Sequence, residues 1–257
     1  MKRRILTGVL AAASGITCLM AQQQGGQAPL VPNTKSAGES QAVIALMQSQ
    51  GNPDAAIKAA DDLLTKYADT YYKEIALTLE AQAYRQKGDP DKAIIYGERV
   101  LEVNPKNFQT TLLIGEILAQ RTRENDLDKE DKLGRAEKLL KGTIDNLNTA
   151  QKPNPQLTDA QWEDGKKILI AEAHNGLGMV ALDRKKFDVA ATEFKTASDT
   201  DPGEPAYNVR LASALQQQGK NDEAVAVCDK ILAAPQLNPT IKAVTENIKK
   251  AAQAGKK

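Results

Sequence analysis

The 257-residue sequence has few of the residues that build disulfides, metal sites and histidine-dependent active sites. It contains two cysteines, Cys18 and Cys228, and one histidine, His174. Two cysteines are too few for a disulfide scaffold, and one histidine without a second ligand favours neither a zinc site nor a triad. There is also no Walker loop, HExxH, GxSxG, CxxC or dinucleotide fingerprint. The sequence therefore predicts a non-enzyme with no catalytic residue, no metal ligand and no cofactor.

Aromatic residues and net charge are also scarce. Phe, Trp and Tyr make up 4% of the chain and the formal net charge is +1, which gives no basis for a nucleic-acid partner. The hydrophobic fraction of 41% consists mainly of Ala, Leu, Ile and Val. No segment alternates apolar and polar residues as a half-buried strand does. These features predict closely packed helices.

The N-terminus has the pattern of a secretory signal. Lys2, Arg3 and Arg4 precede an apolar stretch over residues 5–21, which is short for a membrane-spanning helix. We expect a signal peptide at 1–21, cleaved after Ala21, with lipidation at Cys18 or retention as a membrane anchor as the alternatives. A Gln-, Gly- and Pro-containing linker is predicted over 22–38. Export to the periplasm or the medium follows from this interpretation.

Small residues recur at a fixed interval. Gly178 is followed 34 residues later by Ala212, Ala190 by Ala224, and Ala81 by Gly115. A period in this range over helical segments is typical of stacked units that bury their apolar faces only against their neighbours.

Turn residues repeat in the same way. Gly51, Gly88 and Gly219 each precede a short polar turn and an alanine five residues on. A glycine can end a helix in the left-handed conformation because it has no Cβ. Asp89 and Asn221 are then predicted to cap the helices that follow.

These repeats resemble the tetratricopeptide repeat (TPR) family, whose units are two antiparallel helices in 34 residues. The segment 171–204 matches best, with Leu177, Gly178, Phe187, Ala190, Phe194, Ala197 and Pro202 at motif positions. The segment 205–238 carries Leu211, Ala212, Leu215, Gly219, Ala224 and Leu232, and the segment 74–107 carries Leu77, Ala81, Tyr84, Gly88, Ala93 and Pro105. The resemblance implies an all-α, right-handed α-solenoid of about five helix-turn-helix units with a C-terminal capping helix.

The resemblance also divides the chain. The solenoid domain is expected over 39–257, with units near 39–73, 74–107, 108–148, 159–204 and 205–238 and a capping helix at 239–254. A charged insertion at 121–131 interrupts the middle unit. In the capping helix, Ile241, Val244, Ile248 and Ala252 are predicted to share the buried face.

The resemblance implies a partner-binding groove lined by the first helix of each unit. The positions that point inward in the family are occupied here by Gln82, Arg85, Gln86, Glu116, Gln120, Asn175, Met179, Arg210, Ser213 and Gln217. Amide side chains both donate and accept hydrogen bonds, which suits extended peptide backbone. We therefore expect a non-catalytic scaffold or adaptor of the bacterial cell envelope that binds a peptide or protein. The alternatives are an assembly subunit that acts through the solenoid ends or convex face, including self-association, and a ligand-binding sensor or enzyme.

Three single residues and one acidic segment have two interpretations each. His174 and Cys228 are expected to pack in the core rather than to bind a ligand or react. Trp162 is expected to fasten a helix extension to the solenoid, with a partner anchor as the alternative.

The acidic segment is the insertion. Asp126, Asp128, Glu130 and Glu137 have the spacing of calcium ligands in an EF-hand, but Asp131 occupies the place that needs a glycine. A solvated loop is therefore expected there.

Overall fold

The computed structural model describes residues 30–152 and 156–255, and within them the chain forms eleven α-helices and no strand. The helices are α1 (Ala37–Gln48), α2 (Pro53–Lys66), α3 (Lys73–Gln86), α4 (Pro90–Val103), α5 (Phe108–Arg121), α6 (Lys129–Thr149), α7 (Asp159–Asp183), α8 (Phe187–Thr200), α9 (Pro205–Gln217), α10 (Asn221–Leu232) and α11 (Pro239–Ala254). This confirms the predicted all-α fold of five helical hairpins and a capping helix. The predicted signal, 1–21, and residues 22–29 of the predicted linker lie outside the described residues. None of the described helices is long and apolar enough to cross a membrane.

Left-handed residues close four of the hairpin turns. Gly51, Gly88 and Gly219 have φ angles of 89°, 74° and 81°, which confirms their predicted role as turn residues. In the fourth hairpin this position is held by Lys185, with φ of 59°. A lysine rarely adopts this conformation because its Cβ crowds the backbone. The sequence pattern therefore did not predict Lys185 as a turn residue.

The helix caps follow the prediction at one position and depart from it at another. The side chain of Asp89 accepts a hydrogen bond from the backbone N–H of Lys92 (3.1 Å), which caps α4 as predicted. The predicted cap at Asn221 is wrong. Lys220 is the N-cap of α10 and makes no side-chain cap bond, while Asn221 is the first residue of the helix.

The described residues form two compact units. Unit 1 comprises the described residues within Met1–Ile114 and Thr149–Gly165. Unit 2 comprises those within Gly115–Asn148 and Lys166–Lys257. Helices α1 to α4 belong to unit 1, and α8 to α11 belong to unit 2. Within each unit, helices adjacent in sequence pack against each other, as α2 does with α3 and α9 with α10.

In unit 1, the segment before α1 is attached to the first hairpin. Val31 is 5% exposed and packs in the core formed by α1, α2 and the start of α3. Its backbone N–H donates to Ser40 Oγ (2.7 Å), and the Tyr72 hydroxyl donates to the carbonyl oxygen of Pro32 (2.8 Å). Residues 30–36, which lie in the predicted linker, therefore cover one side of this core, and α1 begins at Ala37.

In unit 2, glycines allow the helices to approach closely. The side chain of Leu140 on α6 fits against Gly115 of α5 and Gly176 of α7, where an added Cβ would lie 2.7 and 2.8 Å from its atoms. An added Cβ at Gly178 would lie 2.5 Å from the ring of Phe194 on α8. Small residues at motif positions thus set the helix spacing, as the repeat pattern predicts.

The capping helix α11 packs against α9 and α10. Its buried residues are Thr245 and Ala252, while Ile241 and Ile248 are half-buried and Val244 is 43% exposed. The predicted buried face is therefore wrong at Val244. Thr245 takes the buried place because its hydroxyl donates within the helix to the carbonyl oxygen of Ile241 (2.7 Å) and needs no solvent.

Candidate partner-binding surface

Seven of the ten predicted groove residues belong to unit 2, on α5, α7 and α9. We call them the unit 2 surface. They are Glu116, Gln120, Asn175, Met179, Arg210, Ser213 and Gln217. The structure places them on the first helices of three consecutive hairpins, and their exposure differs widely.

The centre of the unit 2 surface is a partly buried polar cluster. Arg210 Nη1 donates to Asn175 Oδ1 (2.6 Å), which links α9 to α7. Asn175 is 6% exposed and Glu116 is 7% exposed. Burial lowers the pKa of the Arg210 guanidinium, and the neighbouring Tyr207 and Glu116 act in the opposite direction. Arg210 remains a cation, because an arginine is not deprotonated in proteins, so a positive charge is held where water is partly excluded.

The other members of the unit 2 surface are more open. Gln120 and Gln217 are exposed, and Gln217 Nε2 donates to Ser213 Oγ (3.3 Å). Met179 is half-buried and packs against the core around Phe194. The two exposed glutamines offer the donors and acceptors that extended peptide backbone can use.

The three remaining predicted groove residues lie at the end of α3 in unit 1. Gln82 is half-buried, while Arg85 and Gln86 are exposed. Their role in partner binding stays a prediction.

The single histidine is engaged within its own hairpin. His174 Nδ1 lies 2.7 Å from Glu193 Oε2, which joins α7 to α8, and the side chain of His174 is 21% exposed. His174 is thus partly buried and joins two helices through a polar contact, rather than packing in the core as expected from the sequence.

Cys228 and Trp162 are both buried. Cys228 is 0% exposed, and burial raises the pKa of its thiol, which makes it a core residue rather than a reactive one. Trp162 is 5% exposed, and its ring centroid lies 6.2 Å from that of Phe108 within unit 1. Trp162 therefore fastens the N-terminal extension of α7, as expected.

The acidic insertion does not form a twelve-residue loop, because α6 begins at Lys129 and contains two of the four candidate ligands. Asp126 and Asp128 pair with Lys132 at 3.0 and 2.8 Å. Glu130 and Glu137 pair with Arg184 at 3.0 and 2.6 Å. In the part of the chain that the structure describes, no group of three or more His, Cys, Asp or Glu side chains is arranged to hold a metal.

The insertion instead borders an open cavity within unit 2 that the sequence patterns did not indicate. Its volume is about 580 Å³, and its lining consists of Glu124, Lys129, Glu130, Asp183, Arg184, Lys185 and Lys186. Glu124 binds Lys129 at 2.7 Å and Lys185 at 2.9 Å. Glu130 binds Arg184 at 3.0 Å, so five of the seven lining side chains are already engaged in ion pairs. The only sequence signal of this cavity is the break in the 34-residue period.

Comparison with known proteins identifies the repeats. Two tetratricopeptide repeat family models match the chain, one over residues 46–108 and one over residues 181–248. No curated protein sequence matches it.

Several solved structures share the fold. A thermophilic TPR protein of Thermus thermophilus, TTC0263, is 19% identical with a TM-score of 0.54, and the match covers 82% of this chain and 98% of that one. A MamA RS-1 double mutant is 13% identical with a TM-score of 0.56, covering 86% and 99% of the two chains. A MamA protein is 19% identical with a TM-score of 0.55, covering 76% and 91%. At these identities the likeness concerns the fold alone.

The helical hairpins and these structural neighbours define an all-α repeat protein of the solenoid class. More specifically, the chain contains tetratricopeptide repeats over 46–108 and 181–248. Such repeats are generally non-catalytic modules for protein interaction.

Proposed function

We propose that this protein is a non-catalytic scaffold that binds a peptide or protein partner through the unit 2 surface. The observation that carries the proposal is the Arg210–Asn175 pair (2.6 Å), which holds a partly buried cation on first helices that also present Gln120 and Gln217. A preformed surface loses little conformational entropy on binding, so many weak polar contacts suffice for useful affinity.

Site-specific photo-crosslinking in the native cell tests this surface. A photoreactive residue is placed at Gln120 or Gln217, and control residues are placed at Lys195 on α8 and Lys230 on α10. All four positions are exposed, so the replacements leave the packing intact. We expect the same adduct from both glutamine positions and none from the controls. Adducts from Lys195 and Lys230 alone would place the partner on the second helices and refute the proposal.

The mass of the adduct also separates this proposal from its alternative. An adduct with the mass of two copies of this chain would favour the assembly subunit over the adaptor. Replacing Arg210 with Gln should weaken the heterologous adduct, and an unchanged circular dichroism spectrum would show that the helices remain.

We further propose that the protein is exported to the cell envelope. The support is the sequence of residues 1–21, in which three basic residues precede an apolar stretch. Cell fractionation combined with intact mass measurement tests it. A protein that begins at Gln22 in the periplasm or the medium is the expected result, and a cytoplasmic protein that retains Lys2 would contradict it.

A further inference from the structure

Glu80 is a buried carboxyl group in unit 1 without an ion-pair partner. It lies on α3, is 0% exposed, and neither of its carboxylate oxygens makes a well-formed hydrogen bond. The Tyr96 hydroxyl and the Asp61 carboxyl are the hydrogen-bonding groups that act on it. At the corresponding position of the segments 171–204 and 205–238 the sequence has Leu177 and Leu211. A carboxylate without partners is costly to bury, and the cost falls sharply when the group is neutral. The protonation state of Glu80 therefore affects the packing of the helices around it.

The charged and titratable groups that act on Glu80 come from both neighbouring helices. Asp61 on α2 adds a negative charge, while Tyr96 and Arg99 on α4 favour the ionised form. The two α4 side chains are also engaged elsewhere. The Tyr96 ring stacks on Tyr84 with centroids 5.1 Å apart, and the Arg99 guanidinium lies 5.1 Å from the centroid of Tyr96. Hydrogen bonding from the Tyr96 hydroxyl and the more distant charge of Arg99 stabilise the ionised carboxylate, but burial and Asp61 outweigh them.

Together, these effects keep the carboxyl group of Glu80 neutral over an unusually wide pH range. Burial, with a smaller contribution from Asp61, raises the pKa of Glu80 from 4.5 to about 7. The pKa of Tyr96 is raised to about 12 by its own burial and by Glu80, so Tyr96 stays neutral. Since the folded state holds the Glu80 proton more tightly than the unfolded chain does, the contribution of Glu80 to stability is fully present below pH 4.5 and is lost as pH rises through 7.

We propose that Glu80 makes the packing of α3 against α2 and α4 sensitive to pH, tight while its carboxyl group is protonated and loosened once it ionises. Since α3 also carries Gln82, Arg85 and Gln86, the device acts on the helix that presents the predicted groove residues of unit 1. It gives a repeat that is rigid in mildly acidic surroundings and more open above neutrality.

Hydrogen exchange of the full chain at pH 5.5 and pH 8, corrected for intrinsic rates, measures this directly. For a pKa of about 7 in the folded state and 4.5 in the unfolded state, the opening constant of α3 and α4 amides rises about 30-fold between these pH values. The Glu80→Gln variant removes the ionisation and should lose this rise. Glu102→Gln, an exposed carboxylate on α4, is the matched control and should retain it. All other titrating groups are common to the three proteins and cancel in the comparison.

Chemical denaturation provides a second measurement. When the pH is raised from 5.5 to 8, the denaturant concentration at the midpoint should decrease more for the native chain than for Glu80→Gln. Should Glu80→Gln not fold, Glu80→Leu restores the apolar residue of the motif and should likewise abolish the rise in opening. Parallel pH profiles for the native chain and the Glu80 variant, or an α3 opening constant that is unchanged between pH 5.5 and pH 8, would overturn the proposal.

Discussion

Gly178 shows how closely single residues are fitted in the repeat. It lies on α7 against the ring of Phe194, which is fully buried on α8. A Cβ at this position would lie 2.5 Å from ring atom Cε1 and 2.6 Å from Cδ1, well inside van der Waals contact. A side chain of any size there must displace a large buried ring or separate the two helices.

We predict that Gly178→Ala destabilises the protein by about 1–3 kcal/mol, because overpacking outweighs the gain in helix propensity. Gly142→Ala is the matched control. Gly142 also lies inside a helix, α6, but an added Cβ would meet no atom within 4 Å. That variant should be more stable by about 0.5–1 kcal/mol. Urea denaturation of both variants checks the pair, and equal effects would show that the ring does not restrict position 178.

The sequence predicted the left-handed turn residues at the positions where local chemistry alone determines the backbone conformation. Gly51, Gly88 and Gly219 were identified as left-handed turn residues, because only glycine adopts that conformation without strain. Lys185 escaped prediction, since its positive φ depends on the surrounding structure rather than on its own preference.

At the scale of elements, Arg184 joins α6 to the end of α7. Arg184 directly follows α7 and binds two carboxylates of α6, with Nε 3.0 Å from Glu130 Oε2 and Nη1 2.6 Å from Glu137 Oε2. Its side chain is only 17% exposed. Because a guanidinium can bridge two carboxylates at once, Arg184 fixes α6 to the end of α7.

We predict that Arg184→Met destabilises unit 2 by about 1–2 kcal/mol, as a partly buried charge-assisted pair is lost. Lys141→Met is the control, because Lys141 binds the same Glu137 carboxylate at 2.6 Å from an exposed position. Exposed ion pairs contribute little, so this variant should unfold close to the native chain. Thermal melts at low and high salt make the comparison, and an equal loss in both variants would show that Arg184 acts as an ordinary surface charge.

The elements themselves were predictable, whereas the pairing within the insertion was not. The 34-residue period and the Gly and Pro turns predict five hairpins and α11, and the structure contains them. The insertion has no period, so the spacing of Asp126, Asp128, Glu130 and Glu137 left calcium binding open. Their pairing with Lys132 and Arg184 depends on where α6 begins, which charge composition does not specify.

At the scale of the whole chain, the family pattern predicts on which helices the groove residues lie but not how exposed each of them is. Glu116 and Asn175 are less than a tenth exposed, whereas Gln120 and Gln217 are open to solvent. Which positions face a groove stays a prediction from the family pattern. The pattern does not show that Arg210 draws Asn175 into a polar cluster, because their contact joins residues 35 apart in sequence.

The contacts between helices predict that the effect of a destabilising substitution stays local. Most helices that pack together are neighbours in sequence, such as α3 with α4 and α10 with α11. The contact of α9 with α11 skips one helix. In repeat proteins of this kind, stability is approximately a sum of nearest-neighbour terms. Gly178→Ala should therefore lower hydrogen-exchange protection of α8 and α9 strongly while amides of α2 and α3 keep nearly native protection. The Gly142→Ala chain provides the reference for both regions. A uniform loss of protection over α2, α3, α8 and α9 would instead mean that the chain unfolds as one cooperative body.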